Sequence, residues 1–173
     1  MNSKKHLPLI GVGPIIVIPQ IALTIIGIIL SAKGFTIDWH IKILKVPFAI
    51  LGILFILYGF LLWYAANFKT KIDKHIENNK LATTGVYSVV RNPIYSAFFI
   101  VCIGLICIEN NLILFIIPIV CWLYMTILLK NTEEKWLYKL YGNEYKKYCR
   151  KVNRCIPIKK FQKKAKDYEK RLC

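Results

Sequence analysis

The sequence predicts an all-α integral membrane protein: a polytopic bundle of about four transmembrane helices that includes a C-terminal helical hairpin, followed by an amphipathic helix and a basic tail. Of the 173 residues 56% are hydrophobic, although Lys and Arg outnumber Asp and Glu by 25 to 9. The apolar residues lie in long uncharged blocks, and backbone polar groups in lipid need partners within their own segment, so each block is expected to be helical. This composition excludes a disordered chain or a basic nucleic-acid-binding arm.

Four uncharged blocks define the predicted helices. They cover residues 9–30, 46–66, 94–108 and 112–129. At about 1.5 Å per residue each of the first two reaches roughly 30 Å, the thickness of the hydrocarbon core. The third block is short for a span, which favours tilt or local thinning of the bilayer. Only residues 109–111 separate the last two blocks, so they are expected to form a hairpin.

The first block has a signal peptide as its alternative interpretation, because two lysines precede it. The block is longer than the usual apolar region of about 7–15 residues, and no small-x-small cleavage pattern follows it cleanly. A retained helix is therefore expected.

The positions of Lys and Arg predict the orientation. With four crossings and a cytoplasmic N-terminus, 22 of the 25 cations lie inside: two before the first block, five in the loop 67–92 and fifteen after Leu129. Only Lys33, Lys42 and Lys45 lie outside. Since cytoplasmic loops carry the excess of positive charge, both termini and the loop 67–92 are expected on the cytoplasmic side.

The cysteine and histidine positions give no metal-binding pattern. None of the six cysteines forms a Cys-x-x-Cys motif, and the three histidines are scattered. We expect the cysteines to be small buried side chains or free thiols rather than metal ligands, and we expect no bound metal.

One polar segment, residues 81–95, precedes the third block. Gly85 permits a positive-φ turn. Asn92 followed by Pro93 is typical of the N-cap and first residue of a helix, which would begin at the membrane interface with its positive dipole end exposed. Tyr87, Arg91 and Tyr95 would then cluster at this helix start. A capped helix with interfacial tyrosines and a snorkelling arginine is the purely structural alternative.

A second polar segment, residues 133–157, follows the fourth block. Asn131 and Glu134 resemble a capping box, and the apolar residues that follow have the spacing of an amphipathic helix. The adjacent Glu133 and Glu134 are unusual in a region that is otherwise strongly basic. They act either as charges at a helix start or as ligands for a cation.

Together, the two segments resemble the integral-membrane methyltransferase family, which includes isoprenylcysteine carboxyl methyltransferases and phospholipid N-methyltransferases. The resemblance covers roughly residues 78–157. It is based on Gly85-Val-Tyr87, Arg91-Asn-Pro-x-Tyr95, Glu133-Glu134-x-x-Leu137, Tyr141-Gly-x-Glu-Tyr145, and on Tyr148, Val152, Arg154 and Pro157. It divides the chain into N-terminal transmembrane helices (1–66), a catalytic region (67–157) and a basic tail (158–173).

The resemblance implies S-adenosylmethionine as cofactor, bound in a pocket that faces the cytoplasm, and a lipophilic methyl acceptor that enters from the bilayer. Arg91 and Tyr95 are the implied catalytic residues. The implied cofactor contacts are Asn79, Lys80, Leu81, Ala82, Tyr87, Asn92, Pro93, Ile94, Tyr95 and Glu133. In chemical terms, a carboxylate suits the ammonium of this cofactor, helix N–H groups suit its carboxylate, and aromatic faces suit its adenine or sulfonium.

Two positions depart from the family pattern. Asn92 stands where many members have histidine, and an amide side chain cannot carry a proton. Leu129 aligns with an arginine that isoprenylcysteine enzymes place one helical turn before the acidic pair. This second departure weakens the case for a prenylcysteine carboxylate as the acceptor.

Two other functional classes remain open from the sequence. Membrane reductases of the steroid-reductase type share a similar Gly-x-Tyr and Arg-x-Pro-x-Tyr run, but the acidic pair would repel the phosphates of NADPH. A non-enzymatic membrane protein is the other class, because the basic tail suffices to bind anionic lipid headgroups. The sequence around the lysines contains no motif that is typical of nucleic-acid recognition, so nucleic acid is not an expected partner.

Overall fold

The computed structural model describes residues 12–70 and 80–157, and within these ranges every regular element is helical. Five α-helices follow one another: α1 Gly13–Ala32, α2 Lys45–Tyr64, α3 Pro93–Glu109, α4 Ile116–Asn131 and α5 Glu133–Lys151. The predicted all-α fold is confirmed.

Four of these helices are apolar, as the four uncharged blocks predict. Three helical segments are long and apolar enough to cross a membrane: Gly13–Ala32, Lys42–Lys69 and Leu112–Asn131, of which the last two include short 3-10 or π turns at the ends of α2 and α4. Helix α3 is apolar but has only 17 residues, about 25 Å. The shortness expected of the third block is therefore observed. The protein is an integral membrane helical bundle.

Small residues bring α2 and α3 into close contact. A Cβ added at Gly52 would lie 2.5 Å from the carbonyl oxygen of Gly104, and one added at Gly104 would lie 2.6 Å from the carbonyl oxygen of Gly52. About two helical turns further along α2, a Cβ added at Gly59 would lie 2.8 Å from the carbonyl oxygen of Ala97. Close backbone approach at small residues is a common way for helices to associate in lipid, because no hydrophobic driving force acts between helices there.

A shared core links α1, α3 and α4. It contains Ile16 of α1, Phe99 of α3, and Cys121, Met125 and Leu129 of α4. This core holds the ends of these three helices near the start of α5.

The turn between α3 and α4 is fixed by two asparagines. Asn110 adopts a left-handed conformation (φ 59°) that ends α3. The buried Asn111 amide donates to Ser31 Oγ at 3.0 Å and to the Ile37 carbonyl at 3.1 Å, and it thereby ties the hairpin to the α1–α2 connection. The predicted hairpin is present.

Helix α5 bends sharply at Gly142 (φ 52°, ψ −121°). Non-glycine residues rarely adopt this conformation, so glycine permits the change of direction. The second half of α5 then returns the chain to the segment before α3. There the Arg91 amide donates to the Asn153 carbonyl at 2.9 Å, and the Asn92 amide to the Arg154 carbonyl at 3.1 Å.

The predicted helix start at Asn92 and Pro93 is confirmed, since Asn92 is the N-cap of α3 and Pro93 its first residue. The predicted capping box is wrong. Asn131 is the last residue of α4, Thr132 is the N-cap of α5, and no side chain caps that helix. The Thr132 hydroxyl donates instead to the Leu128 carbonyl at 2.6 Å. Glu134 is therefore available for a different interaction.

Several expectations fall on residues outside the described ranges. They include the cofactor contact at Asn79, the N-terminal lysines and the basic tail 158–173. The division of the chain at residues 66 and 157 stays a prediction.

We predict that Gly52→Ala and Gly104→Ala each lower the free energy of unfolding by about 1–3 kcal/mol, because the added methyl forces α2 and α3 apart. Thermal unfolding of the protein in detergent measures this effect. Gly13→Ala is the matched control, since its Cβ would lie no closer than 3.6 Å to Tyr95. Equal unfolding temperatures for Gly104→Ala and the parent protein would contradict the proposed close packing.

Candidate functional site

The candidate site lies where the starts of α3 and α5 meet the start of α1. The Tyr95 hydroxyl donates a hydrogen bond to Glu133 Oε1 at 2.6 Å. The Val12 backbone amide donates to the same oxygen at 3.3 Å. Tyr95 sits in the first turn of α3 because Pro93 begins that helix, and Glu133 is the first residue of α5. Two residues that the sequence places on opposite sides of a helical hairpin are thus in direct contact.

The Glu133 carboxyl is held in a poorly solvated environment. Burial raises its pKa above the ordinary value, and the negative charge of Glu134 adds to this rise. The hydrogen bonds from Tyr95 and Val12 oppose it. Among the residues that the structure describes, the ion pairs include none to Glu133. A buried carboxylate without a cation is costly, and a cationic ligand would remove that cost.

The neighbouring Glu134, in contrast, is paired with two cationic side chains. Arg154 forms two hydrogen bonds with it, at 2.6 and 2.8 Å, and Arg91 Nη2 lies 3.0 Å from its Oε1. The side chains of Arg91, Glu134 and Arg154 are only 7%, 14% and 25% exposed. The pairing with Glu134 raises the pKa of Arg154. Glu134 therefore serves as a structural counterion for two guanidinium groups.

Arg91 makes further contacts with the second half of α5. Its Nη1 donates to the Tyr145 hydroxyl at 3.3 Å and contacts Cys149 Sγ, and its guanidinium carbon lies 5.8 Å from the centre of the Tyr145 ring. Burial raises the pKa of Tyr145 although Arg91 opposes the shift, so the phenol stays protonated at neutral pH. Arg91 thus joins the loop before α3 to both halves of α5.

Three of the other predicted cofactor positions, Ala82, Tyr87 and Ile94, lie together in one cluster. Ala82 and Tyr87 are buried together with Ala66, and Ile94 packs against them. The Tyr87 carbonyl accepts a hydrogen bond from the Tyr148 hydroxyl. These positions lie on the loop side of the α3 start, whereas Tyr95 and Glu133 lie on its α1 side.

The remaining positions are more dispersed. The Asn92 side chain donates to the Arg154 carbonyl at 3.0 Å, and Leu81 packs against the cluster of Tyr145 and Tyr148. Pro93 is buried and Lys80 is exposed. The roles of all these residues, and the catalytic roles of Arg91 and Tyr95, stay predictions.

Three contributors to the site were not assigned roles from the sequence: the Val12 amide, Arg154 and Cys149. Arg154 had a visible signal, because a second arginine in the same motif region as an acidic pair indicates an ion pair. The Val12 contact is made by the backbone, so no residue type could reveal it.

The groups at this site suit a ligand that carries the two charges of an amino acid. Glu133 offers a partly buried carboxylate that has no ion pair among the described residues, which suits a cationic group. The first amides of a helix have no partner inside that helix, and α3 has no side-chain cap, so the N–H groups of Ile94 and Tyr95 suit a carboxylate. The start of α3 and the carboxylate that contacts Tyr95 therefore provide one group for each charge of an amino-acid moiety.

The chain belongs to the phospholipid methyltransferase family, whose model matches residues 42–144, more than half of its length. The match includes α2, α3, α4 and the first half of α5. It favours the methyltransferase interpretation over the reductase one.

Curated relatives agree with this family. The protein-S-isoprenylcysteine O-methyltransferase of Schizosaccharomyces pombe is 31% identical over 87 residues, which are 50% of this chain and 36% of the relative. Protein-S-isoprenylcysteine O-methyltransferase B of Arabidopsis thaliana is 32% identical over 85 residues, 47% of this chain and 42% of the relative. A probable enzyme of the same name from Oryza sativa subsp. indica is 33% identical over 96 residues, 53% of this chain and 49% of the relative.

The chain thus covers half or less of the length of these relatives. No solved structure matches it significantly.

We predict that Glu134→Gln lowers the free energy of unfolding by about 3 kcal/mol, because it removes the carboxylate that pairs with the buried guanidinium of Arg91 and the partly buried one of Arg154. Chemical or thermal unfolding in detergent measures the change. Glu144→Gln is the matched control, since Glu144 is an exposed carboxylate on the same helix. If both variants unfold alike, Glu134 does not hold the two arginines in place.

Proposed function

We propose that this protein is a membrane-embedded methyltransferase that uses S-adenosylmethionine and transfers its methyl group to a lipophilic acceptor. The acceptor classes are an isoprenylcysteine-like carboxylate, a phospholipid amine, and a small lipophilic thiol or amine. Membership of the phospholipid methyltransferase family supports the class of reaction.

One observation supports the cofactor most directly: the adjacent carboxylates Glu133 and Glu134 have different partners. Glu134 is neutralised by two arginines, whereas Glu133 is buried against a phenol and a backbone amide. A carboxylate kept apart from nearby arginines is suited to receive a cation from outside the protein. In this proposal the α-ammonium of the cofactor fills that place.

S-adenosylmethionine, when bound, supplies a methyl group already activated by its sulfonium. In the transfer a new bond forms between the acceptor atom and the methyl carbon, the carbon–sulfur bond breaks, and the sulfonium becomes a neutral thioether. The protein's own contribution is to orient and to exclude water. Glu133 would hold the ammonium and the N–H groups of Ile94 and Tyr95 would hold the carboxylate, while the Tyr95 hydroxyl keeps Glu133 in position.

A general base is needed only for some acceptors. A carboxylate or thiolate accepts a methyl group without losing a proton, whereas an ammonium group must first be deprotonated. The relatives carry isoprenylcysteine in their names, which makes a prenylcysteine carboxylate one candidate. Leu129 argues for the other candidates, because it is fully buried in the core beside Met125 and offers no cation to a carboxylate.

In the proposed orientation the site faces the cytoplasm. Lys80, Arg91 and the cations of α5 lie at the end of the bundle that carries Glu133, while Lys33, Lys42 and Lys45 lie near the opposite ends of α1 and α2. This asymmetry is the one that positive-inside topology produces. Both termini would then be cytoplasmic.

We expect Glu133→Gln to weaken binding of S-adenosylmethionine by about 10- to 100-fold, the usual value of a hydrogen bond to a charged group. Isothermal titration calorimetry on the purified protein measures this change. Tyr95→Phe is expected to weaken binding less, since it removes only the group that positions Glu133.

Incubation of membranes with labelled S-adenosylmethionine then identifies the acceptor, and methyl transfer should fall in both variants.

Two control variants make the binding test specific. Glu144→Gln removes an exposed carboxylate of the same helix, and Tyr58→Phe removes an exposed hydroxyl on α2. Neither should change the affinity by more than twofold. Undiminished binding in Glu133→Gln would remove the proposed cofactor site, and absence of label from every membrane extract would contradict the proposed activity.

The raised pKa of Glu133 gives a pH dependence of known sign. A proton competes with the cationic ligand, so affinity for S-adenosylmethionine should rise with pH as Glu133 ionises and then level off. The folding stability of the ligand-free protein should follow the opposite trend and fall as the pH rises. Its folded state binds this proton more tightly than the unfolded chain, so the stability contributed by protonated Glu133 is lost as pH rises from the ordinary carboxyl value through the raised one.

Titrations and unfolding curves at several pH values measure both trends. Glu133→Gln is the reference protein, because it retains the neighbouring Tyr95 and Glu134 while losing the titrating carboxyl. Identical pH profiles for the parent protein and this variant would show that Glu133 does not bind the cation.

A further inference from the structure

A second hollow lies near the site, in the angle between the end of α4 and the bent helix α5. Its volume is about 360 Å³ and it opens to the surface. The lysines that line it are Lys130, Lys135, Lys139 and Lys146. Neither Tyr95 nor Glu133 lines it, so it is separate from the proposed cofactor site.

The charge of this hollow is strongly positive. Glu134 is the one carboxylate among its lining residues, and Glu134 is already paired with Arg91 and Arg154. The four lysines are exposed, and none of them forms an ion pair with another residue within the ranges 12–70 and 80–157. Among the described residues no carboxylate compensates their repulsion, which favours an anionic ligand.

The walls of the hollow are amphipathic. Tyr138 and Tyr145 line it together with the lysine side chains. Tyr145 is buried, with its hydroxyl bonded to Arg91, whereas Tyr138 is half exposed. Aliphatic lysine stems and an exposed tyrosine ring are typical of the interface between lipid tails and headgroups.

The position of the hollow matches that interface. Lys130 lies in the last turn of the apolar helix α4, so the hollow begins where the chain leaves the hydrocarbon region. The bend at Gly142 turns the second half of α5, and with it Lys146, towards Lys135 and Lys139 on the first half. All four lysines thus line one hollow at the membrane interface, with their aliphatic stems forming part of its mostly apolar surface.

We propose that this hollow binds the phosphodiester headgroup of an anionic phospholipid, as a non-reacting ligand that anchors α5 to the membrane surface. The lysines neutralise the phosphate, and the exposed ring of Tyr138 contacts the glycerol region. This proposal concerns binding alone and does not depend on the proposed methyl transfer.

The test measures the binding of phosphatidylglycerol to the full chain in a neutral detergent, by native mass spectrometry and without S-adenosylmethionine. The variant Lys135→Gln, Lys139→Gln, Lys146→Gln should bind phosphatidylglycerol about tenfold or more weakly, because each lysine near an anionic surface contributes favourably. Phosphatidylcholine, which is zwitterionic, should bind weakly to both proteins.

The matched control removes the same charge from the opposite end of the bundle: Lys33→Gln, Lys42→Gln, Lys45→Gln. It should change the affinity for phosphatidylglycerol by less than twofold. The conservative variant Lys135→Arg, Lys139→Arg, Lys146→Arg should bind as the parent protein does, which also shows that substitution at these positions preserves the fold.

Three results would overturn the proposal. Equal losses in the two glutamine variants would show that net charge alone attracts the lipid. Unchanged binding in the Lys135, Lys139, Lys146 variant would place the lipid elsewhere. Full competition by glycerol 3-phosphate at concentrations equal to those of the lipid would show that a soluble phosphate ester, rather than a membrane lipid, is the ligand.

Discussion

The ion pairs of Glu134 with Arg91 and Arg154 are the interaction on which the candidate site depends. They join three parts of the chain: the loop before α3, the first turn of α5 and the segment after α5. Successive residues on a helix point about 100° apart, so the turn that directs Glu134 towards the arginines directs Glu133 towards Tyr95 and α1. The pairing of Glu134 with the two arginines thus fixes the direction in which the carboxylate of Glu133 points.

Much of the fold was predictable because lipid imposes simple rules. Uncharged blocks of known length predict the helices, and Asn92-Pro93 predicts the start of α3. The close contact of Gly52 with Gly104 was not predicted, although the seven-residue spacing of small residues on both helices (Gly52 and Gly59, Ala97 and Gly104) is a visible signal. The capping box failed because Thr132 separates α4 from α5 and Glu134 has stronger partners in two arginines.

The site itself was only partly predictable. The resemblance selects Tyr95 and Glu133, and the structure brings them into contact. It gives no reason to assign different partners to Glu133 and Glu134, because adjacent carboxylates look alike in a sequence and their environments arise only from tertiary packing. Arg91 is an example of the same limit. Its predicted catalytic role stays a prediction, whereas its contacts with Glu134, Tyr145 and Cys149, which connect the loop before α3 to α5, appear only in the fold.

The Val12 amide makes one contact of the site independent of side-chain identity. It belongs to the start of α1, outside the matched region 42–144, and yet it touches the carboxylate of Glu133. Every amino acid except proline provides such a donor, so any other residue that keeps the backbone in place at position 12 retains this hydrogen bond. Substitution of Val12 therefore acts on the core that α1 shares with α3 and α4, in which its side chain is buried, rather than on the contact with Glu133.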